Sequence, residues 1–232
     1  ADVRLDNRSM LISALGGTAR SDMPVTDAGL ILTAYRKWGR DCVHHLEGDF
    51  SFVIGDASGG GLFCARDPMG ARPLFYTKND RCFACASDPD ALVMVTGPNW
   101  TPNPERIAAL FAPDRFYHHG LNNWQGDSYS LRAGEWIFVN RDGRILQECY
   151  FHLEAAYVSR SAPYAELVER LQDLFGQAVS RRTTGRAESA LMLSGGLDSA
   201  AVLAMMRRQA DGEQGINTYS IVADDEQDGP EN

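Results

Sequence analysis

Between Leu191 and Met206 the chain reads "LMLSGGLDSAAVLAMM", and this stretch limits what the residues around it can fold into. An apolar run stops at Ser194, two glycines follow, and an Asp-Ser pair opens a second apolar run with helical spacing. Upstream "ESALMLS" reads as a strand, "DSAAVLAMMRRQA" as a helix and "INTYSIVA" as a further strand. Two strands joined through a helix lie parallel, so this end of the chain predicts a parallel sheet. Gly195 and Gly196 at the strand-to-helix junction leave bare N–H groups at the positive end of a helix dipole. With no Cβ in the way, an anion can approach them, and phosphate is the natural occupant. A Walker loop would add Lys-Ser/Thr after the glycines and a dinucleotide fingerprint a third glycine; neither is present.

The first half obeys a different period. "VTDAGLILTAYRKWG" predicts one amphipathic helix, with Thr26 as N-cap, Asp27 in the first turn, Leu30, Ile31, Ala34, Tyr35 and Trp38 on the apolar face, and Gly39 as the stop. "DFSFVIGD" alternates around Phe50, Phe52 and Ile54, and "LFCARD" and "ARPLFY" read as two more strands around the turn "PMG". "RCFACAS" predicts a fourth strand, "DPDALVMV" a short helix, and "GEWIFVNRDGRILQECYF" a hairpin turning at Arg141-Asp142-Gly143. Residues 1 to about 150 therefore read as an antiparallel, meander-like sheet with helical cover. The helix "YAELVERLQDLFGQAVSRR" follows, with Leu167, Leu171, Leu174, Phe175, Ala178 and Val179 as its apolar positions. The boundary between the two styles falls near residues 155 to 163, giving domains 1–155 and 163–232.

"SGGLDS" resembles the pyrophosphate loop of the PP-loop ATP pyrophosphatase superfamily, which binds ATP, transfers AMP to an oxygen of its substrate and releases pyrophosphate. The resemblance implies that Ser194, Gly195, Gly196 and Ser199 cradle the phosphates of ATP and that Asp198 reaches the Mg2+ bridging them. It also places the backbone of Leu193 and of Ile221 against the adenine, with Tyr219 and Ser220 beside that edge. "LEGDFSFVIGD", "LFCARDPMGARPLFY" and "CASDPDAL", in this order before such a loop, look like the amidotransferase domain of glutamine-hydrolysing asparagine synthetases. The fold so implied is an α+β, N-terminal-nucleophile (Ntn-type) amidotransferase sandwich of antiparallel sheets and helices, incomplete at its start. The beginning of an α/β parallel-sheet PP-loop domain follows, incomplete at its end. The implied reaction is ATP-dependent, AMP-forming conversion of a carboxylate such as aspartate to an amide, with nitrogen from glutamine or ammonia.

Several positions depart from that family. The nucleophilic cysteine is missing and Ala1 cannot replace it, so the amino terminus of a parent protein is expected some tens of residues upstream, and this chain alone is not expected to hydrolyse glutamine. Asp2, Val3 and Arg4 stand where the family carries the Asn-Gly pair that supplies oxyanion donors and glutamine contacts. A carboxylate there repels developing negative charge, and loss of one such donor costs about 100-fold or more in rate. Asp27 matches the aspartate that holds glutamine's α-amino group, and equally suits the first turn of a helix. Arg66, Asp67, Gly70, Arg72, Pro73 and Tyr76 match the family but read as structural, with Gly70 in a tight turn. The adjacent histidines His44-His45 and His118-His119 read as surface residues.

A net charge of −9 argues against a phosphate-backbone partner, and the pairs Arg181-Arg182 and Arg207-Arg208 read as solvated helix faces. No apolar run approaches the roughly 20 residues of a bilayer-spanning helix. The expected location is cytoplasmic, and a homodimer is compatible with the resemblance. Cys42, Cys64, Cys82, Cys85 and Cys149 are scattered and odd in number, unlike a disulfide framework. The "CFAC" pair lies in a strand, where i and i+3 face opposite ways, so structural thiols are expected rather than a metal site. The degraded glutamine position favours relatives that use an amine already on the substrate, such as β-lactam synthetases and lasso-peptide cyclases. A non-catalytic pseudo-amidotransferase is the alternative from another class. A sulfur-transfer or NAD-forming PP-loop enzyme fits the loop, but the first half speaks against it.

Overall fold

In the computed structural model, residues 1–17, 26–57, 59–79, 82–96, 102–111, 128–153, 162–183, 189–210 and 215–221 are described. They divide into two units, Ala1–Glu154 and Ala155–Asn232. His118 and His119 lie outside the described residues.

The first unit begins with β1 (Asp2–Leu5), α1 (Arg8–Ala14), α2 (Asp27–Trp38) and a 3-10 turn (Gly39–His45). It continues through β2 (Gly48–Asp56), β3 (Gly61–Arg66), β4 (Phe75–Lys78), β5 (Phe83–Ala86), α3 (Pro89–Thr96) and α4 (Pro104–Phe111). The strands β6 (Ser128–Ser130), β7 (Glu135–Asn140) and β8 (Ile145–Cys149) complete it. Helix α2 starts where Thr26 Oγ1 accepts the Gly29 N–H at 3.1 Å and stops at Gly39, whose φ of 61° is left-handed. Its apolar stripe buries Leu30, Ile31 and Ala34, and removing Leu30 and Ile31 from water is worth about 1.5–3 kcal/mol each.

The strands form two sheets rather than one meander, ordered β1-β2-β3-β7-β8 and β5-β4-β6. Alternation along β3 sorts the larger sheet's faces: Phe63 and Ala65 join Phe50, Phe52, Trp136, Leu11, Leu30 and Ile31 beneath the helices. Cys64, Ile137 and Val139 turn the other way, onto Leu74, Leu131, Tyr76 and Phe83, which places the smaller sheet against the larger one. Helix α3 covers β4 and β5, with Leu92 buried.

The segment "RDPMGARPLFY" does not turn as a hairpin. Its strand begins only at Phe75 and belongs to the other sheet, because Asp67 and Arg66 hold the intervening chain as a corner. Asp67, fully buried, accepts the N–H groups of Met69, Ala71 and Arg72 at 2.9–3.0 Å. Arg66 donates to the carbonyls of Gly70, Arg72 and Leu131 at 2.7 Å, and Gly70 takes a φ of 64°. Both residues therefore serve the backbone, as their structural reading required.

The second unit contains α5 (Tyr164–Thr183), β9 (Ala190–Met192), α6 (Leu197–Gln209) and β10 (Asn217–Tyr219). β9 and β10 pair in parallel, Leu191 opposite Thr218, with α6 as the crossover. Gln209 Nε2 donates to the Gly176 carbonyl at 2.7 Å and ties α6 to α5. Three positions expected on the buried face of α5 are open to solvent, Leu171 at 67% and Leu174 at 55% exposure and Ala178 with them, while Val179 is buried. Within the four described elements only one side of α5 finds a neighbour. No helix among the described residues is long and apolar enough to cross a membrane.

Candidate active site

The glycine turn leaves the carboxyl end of β9 and opens α6. Leu193 donates its N–H to the Tyr219 carbonyl at 2.7 Å, continuing the parallel pairing one residue beyond β9. Gly195 then takes a φ of 80°, a conformation that favours glycine, and a Cβ built on it would meet nothing within 4 Å. Gly196 is the N-cap of α6, extended in backbone, and no side chain caps the helix. A helix start without a cap presents N–H groups of its first turn outward.

Three hydrogen bonds brace this mouth. Ser194 and Ser199 share one between their hydroxyls at 3.1 Å, Ser194 Oγ accepts the Gly196 N–H at 3.3 Å, and Ser199 Oγ donates to the Gly196 carbonyl at 3.2 Å. Ser194, Gly195, Gly196 and Asp198 are exposed, and Asp198 lies in the first turn of α6. Ser220 Oγ donates to the Leu193 carbonyl at 2.7 Å, and Ile221 beside it is 91% exposed. The structure thus brings Leu193, Ser194, Gly195, Gly196, Asp198, Ser199 and Ile221 to one edge of the parallel pair. An open backbone cradle, bare helix amides and two hydroxyls fit a polyphosphate, and a first-turn carboxylate fits a cation bound to it. Among the described residues no group of three or more His, Cys, Asp and Glu side chains is placed to hold a metal by itself.

The second candidate site lies in the first unit. Asp27 starts α2 against the end of β1, where Oδ2 accepts the Leu5 N–H at 2.9 Å. Its other oxygen is ion-paired with the Arg8 guanidinium from the first residue of α1. Asp2 stands three residues back along β1, about 10 Å away by strand rise. Its Oδ2 is 3.5 Å from Arg72 Nη1, and Arg4 donates to Asp6 Oδ1 at 2.8 Å. Val3 packs against the helix-covered core. Every acid of this rim named in the sequence therefore faces an arginine of the same chain. Sequence reasoning passed over Arg8. The available signal was its position: a cation at a helix N-terminus opposes the dipole and calls for a carboxylate nearby.

Other titratable groups serve the core. Burial, then the hydrogen bond to Asp56, raises Tyr35 to about 12, and burial followed by the Asp41 charge does the same for Cys42. His44 and His45 are exposed, their rings set against Tyr150 and Trp38 respectively.

Comparison with known proteins assigns both halves. The family described as glutamine amidotransferase domain matches residues 8–151, and the family described as asparagine synthase matches residues 170–232. The chain is similar to "Asparagine synthetase [glutamine-hydrolyzing] 3" of Bacillus subtilis, 28% identical over 84% of this chain and 32% of that protein. It is also similar to "Putative asparagine synthetase [glutamine-hydrolyzing] 2" of Methanocaldococcus jannaschii, 28% identical over 84% of this chain and 38% of that protein. Among solved structures it is similar to the glutamine phosphoribosylpyrophosphate amidotransferase of B. subtilis complexed with ADP and GMP. That match has a TM-score of 0.44 at 15% identity and covers 93% of this chain and 43% of the other. The chain spans about a third of the length of the curated relatives it matches. With the amidotransferase match over more than half its length, and an asparagine synthase match over the residues that follow from 170 to 232, the chain belongs to the glutamine amidotransferase domain family.

Proposed function

We propose that the chain is part of an ATP-dependent, AMP-forming amide ligase, with the second unit contributing the nucleotide's phosphate site. The exposed, uncapped glycine turn at the carboxyl edge of the parallel strands carries this reading. Ser194, Gly195, Gly196 and Ser199 would hold the phosphates through amides and hydroxyls, and the main chain of Leu193 and Ile221 would present the adenine edge. Asp198 would hold Mg2+, which supplies charge neutralisation on the phosphates when bound. A carboxylate is a poor electrophile, and AMP gives it a good leaving group, so placing donors where phosphate charge develops is the main task of these residues. Aspartate is the substrate suggested by the relatives' names, with glutamine or ammonia as nitrogen source. The test is pyrophosphate release from ATP, aspartate and ammonia by the protein carrying the whole synthetase domain. Asp198→Ala is expected to abolish it, and unchanged turnover refutes the assignment.

A specific observation favours a second reading of the first unit. Arg8 already occupies the carboxylate of Asp27, and Asp2 faces Arg72 where an oxyanion donor is needed. Both features support a glutamine site that has lost its ligand, with the amine drawn from ammonia or from the substrate itself, as in β-lactam-synthetase-like or lasso-peptide-cyclase-like enzymes. Glutaminase activity in a parent retaining Asp2, Val3, Arg4 and Arg8 would remove this reading. Silence of that parent across carboxylates and amines would instead favour a pseudo-amidotransferase.

A further inference from the structure

Two thiols meet between the sheets of the first unit, and neither belongs to the sites described above. Cys64 lies on β3 with Phe63 and Ala65 turned to the helices, so alternation points its sulfur toward the smaller sheet. Cys85 lies on β5, opposite Tyr76 of β4, and packs against the same cluster of Cys64, Leu74, Leu131, Ile137 and Val139. Cys64 is only 2% exposed, whereas Cys85 is half-buried and within reach of a small reagent. The thiols are hydrogen-bonded to each other. That bond is the first cause of opposite shifts, holding Cys85 below the ordinary thiol value and pushing Cys64 up. Exposure makes Cys85 the sulfur that an oxidant reaches first. The remaining cysteines differ: Cys42 is buried and raised to about 12, Cys82 is half-buried in the turn just before β5, and Cys149 is exposed.

We propose that Cys64 and Cys85 are a reversible disulfide site that clasps the two sheets together when the protein meets a low-molecular-weight disulfide oxidant. The Cys85 thiolate attacks one sulfur of the oxidant, forming a mixed disulfide and expelling one small thiolate. Cys64, losing its proton to solvent, then attacks the Cys85 sulfur and expels the second small thiolate. Two protein thiols are oxidised, one small disulfide is reduced to two thiols, and the two protons end on those thiols. Burial keeps Cys64 from direct attack, which fixes the order of events. The loop closed here contains the whole corner from Asp67 to Tyr76, so the bond ties that corner in place and stabilises by restricting the unfolded chain. A bond of this kind in a reducing compartment is transient and responsive rather than structural.

The experiment uses the full 232-residue chain, incubated with glutathione disulfide, then alkylated and analysed by intact mass and peptide mapping. The wild type is expected to lose two hydrogen atoms, to show a single Cys64–Cys85 cross-link, and to melt at a higher temperature until reductant is added. Cys85→Ser removes all three signs. Cys64→Ala, with Cys64→Ser as a second variant should either fold poorly, stops at a glutathione adduct on Cys85. Cys82→Ser and Cys149→Ser leave the cross-link intact. A wild type that accumulates the Cys85 adduct without closing, that joins Cys85 to Cys82 or Cys149, or that leaves both thiols free to alkylate overturns the proposal.

Discussion

Removing the Asp67 carboxylate puts the corner between the two sheets to a quantitative test. Oδ1 accepts from Met69 and Ala71 at 3.0 and 2.9 Å, and Oδ2 from Arg72 at 3.0 Å, all within a fully buried residue. Asp67→Asn can keep the two bonds to Oδ1, but its Nδ2 meets the Arg72 N–H donor to donor. One bond is lost and a buried donor stranded, at about 1–3 kcal/mol. Asp67→Ala strands all three donors and removes the charge that Arg66 is set beside. Individual bonds to a charged group are worth about 1.5–3 kcal/mol, and partial entry of water brings the expected total to about 3–5 kcal/mol. Against the ~5–15 kcal/mol of a typical domain, that leaves the alanine variant close to unfolding. The four tryptophans all precede residue 154, so urea denaturation followed by tryptophan fluorescence reports on this unit alone. The expected order of midpoints is wild type, Asn, Ala, with unchanged slope. An alanine variant within about 1 kcal/mol of wild type, or less damaging than Asn, would refute the claim that this carboxylate organises the corner.

Other outcomes follow from the same geometry. Gly195→Ala places a methyl in the open cradle and strains a left-handed residue, so ATP binding measured by calorimetry should weaken at least about tenfold, near 1.4 kcal/mol; equal affinity would mean the cradle is not used. Arg8→Gln frees Asp27, so glutamine titrated into the variant should perturb the α2 amide resonances while the wild type stays unresponsive, and stability should change by less than about 1 kcal/mol. A wild type that binds glutamine as well as the variant would contradict the ion pair's blocking role. In alkali, Cys42 and Tyr35 are both raised to about 12 from reference values of 9.0 and 10.0, so the folded state favours their neutral forms. Their contribution is complete below pH 9 and is lost as the pH rises toward 12, at up to about 1.4 kcal/mol per pH unit for Cys42. Urea midpoints measured from pH 8 to 12 should fall in that window, and a Cys42→Ala variant should fall less steeply from pH 9; an identical slope would rule out the thiol as a source.

What could be read from the sequence was local. Thr26, Asp27 and Gly39 bound α2 through contacts within a few residues, and the glycine turn is contiguous, so a backbone conformation and a dipole suffice to see it. The two-sheet arrangement was not readable in that way. Alternation along β3 tells which residues share a face, but not which strand lies opposite, and "PMG" fits a hairpin turn until the Asp67 carboxylate is seen binding the amides of Met69, Ala71 and Arg72. Leu171 and Leu174 show the converse: helical spacing defines an apolar stripe, yet only neighbours decide whether it is covered. The rim expected from the resemblance to hold glutamine was half visible. Asp2 and Asp27 could be picked out as misplaced or matching acids, whereas Arg72 and Arg8 come from distant sequence or an unlikely helix position. Those two arginines change the chemistry. Without Arg8, Asp27 would keep its bond from the Leu5 N–H but carry an uncompensated charge open to an ammonium group; paired with Arg8 it is neutralised from within. An ammonium ligand must then compete with a cation tethered to the same chain, which acts at a raised effective concentration.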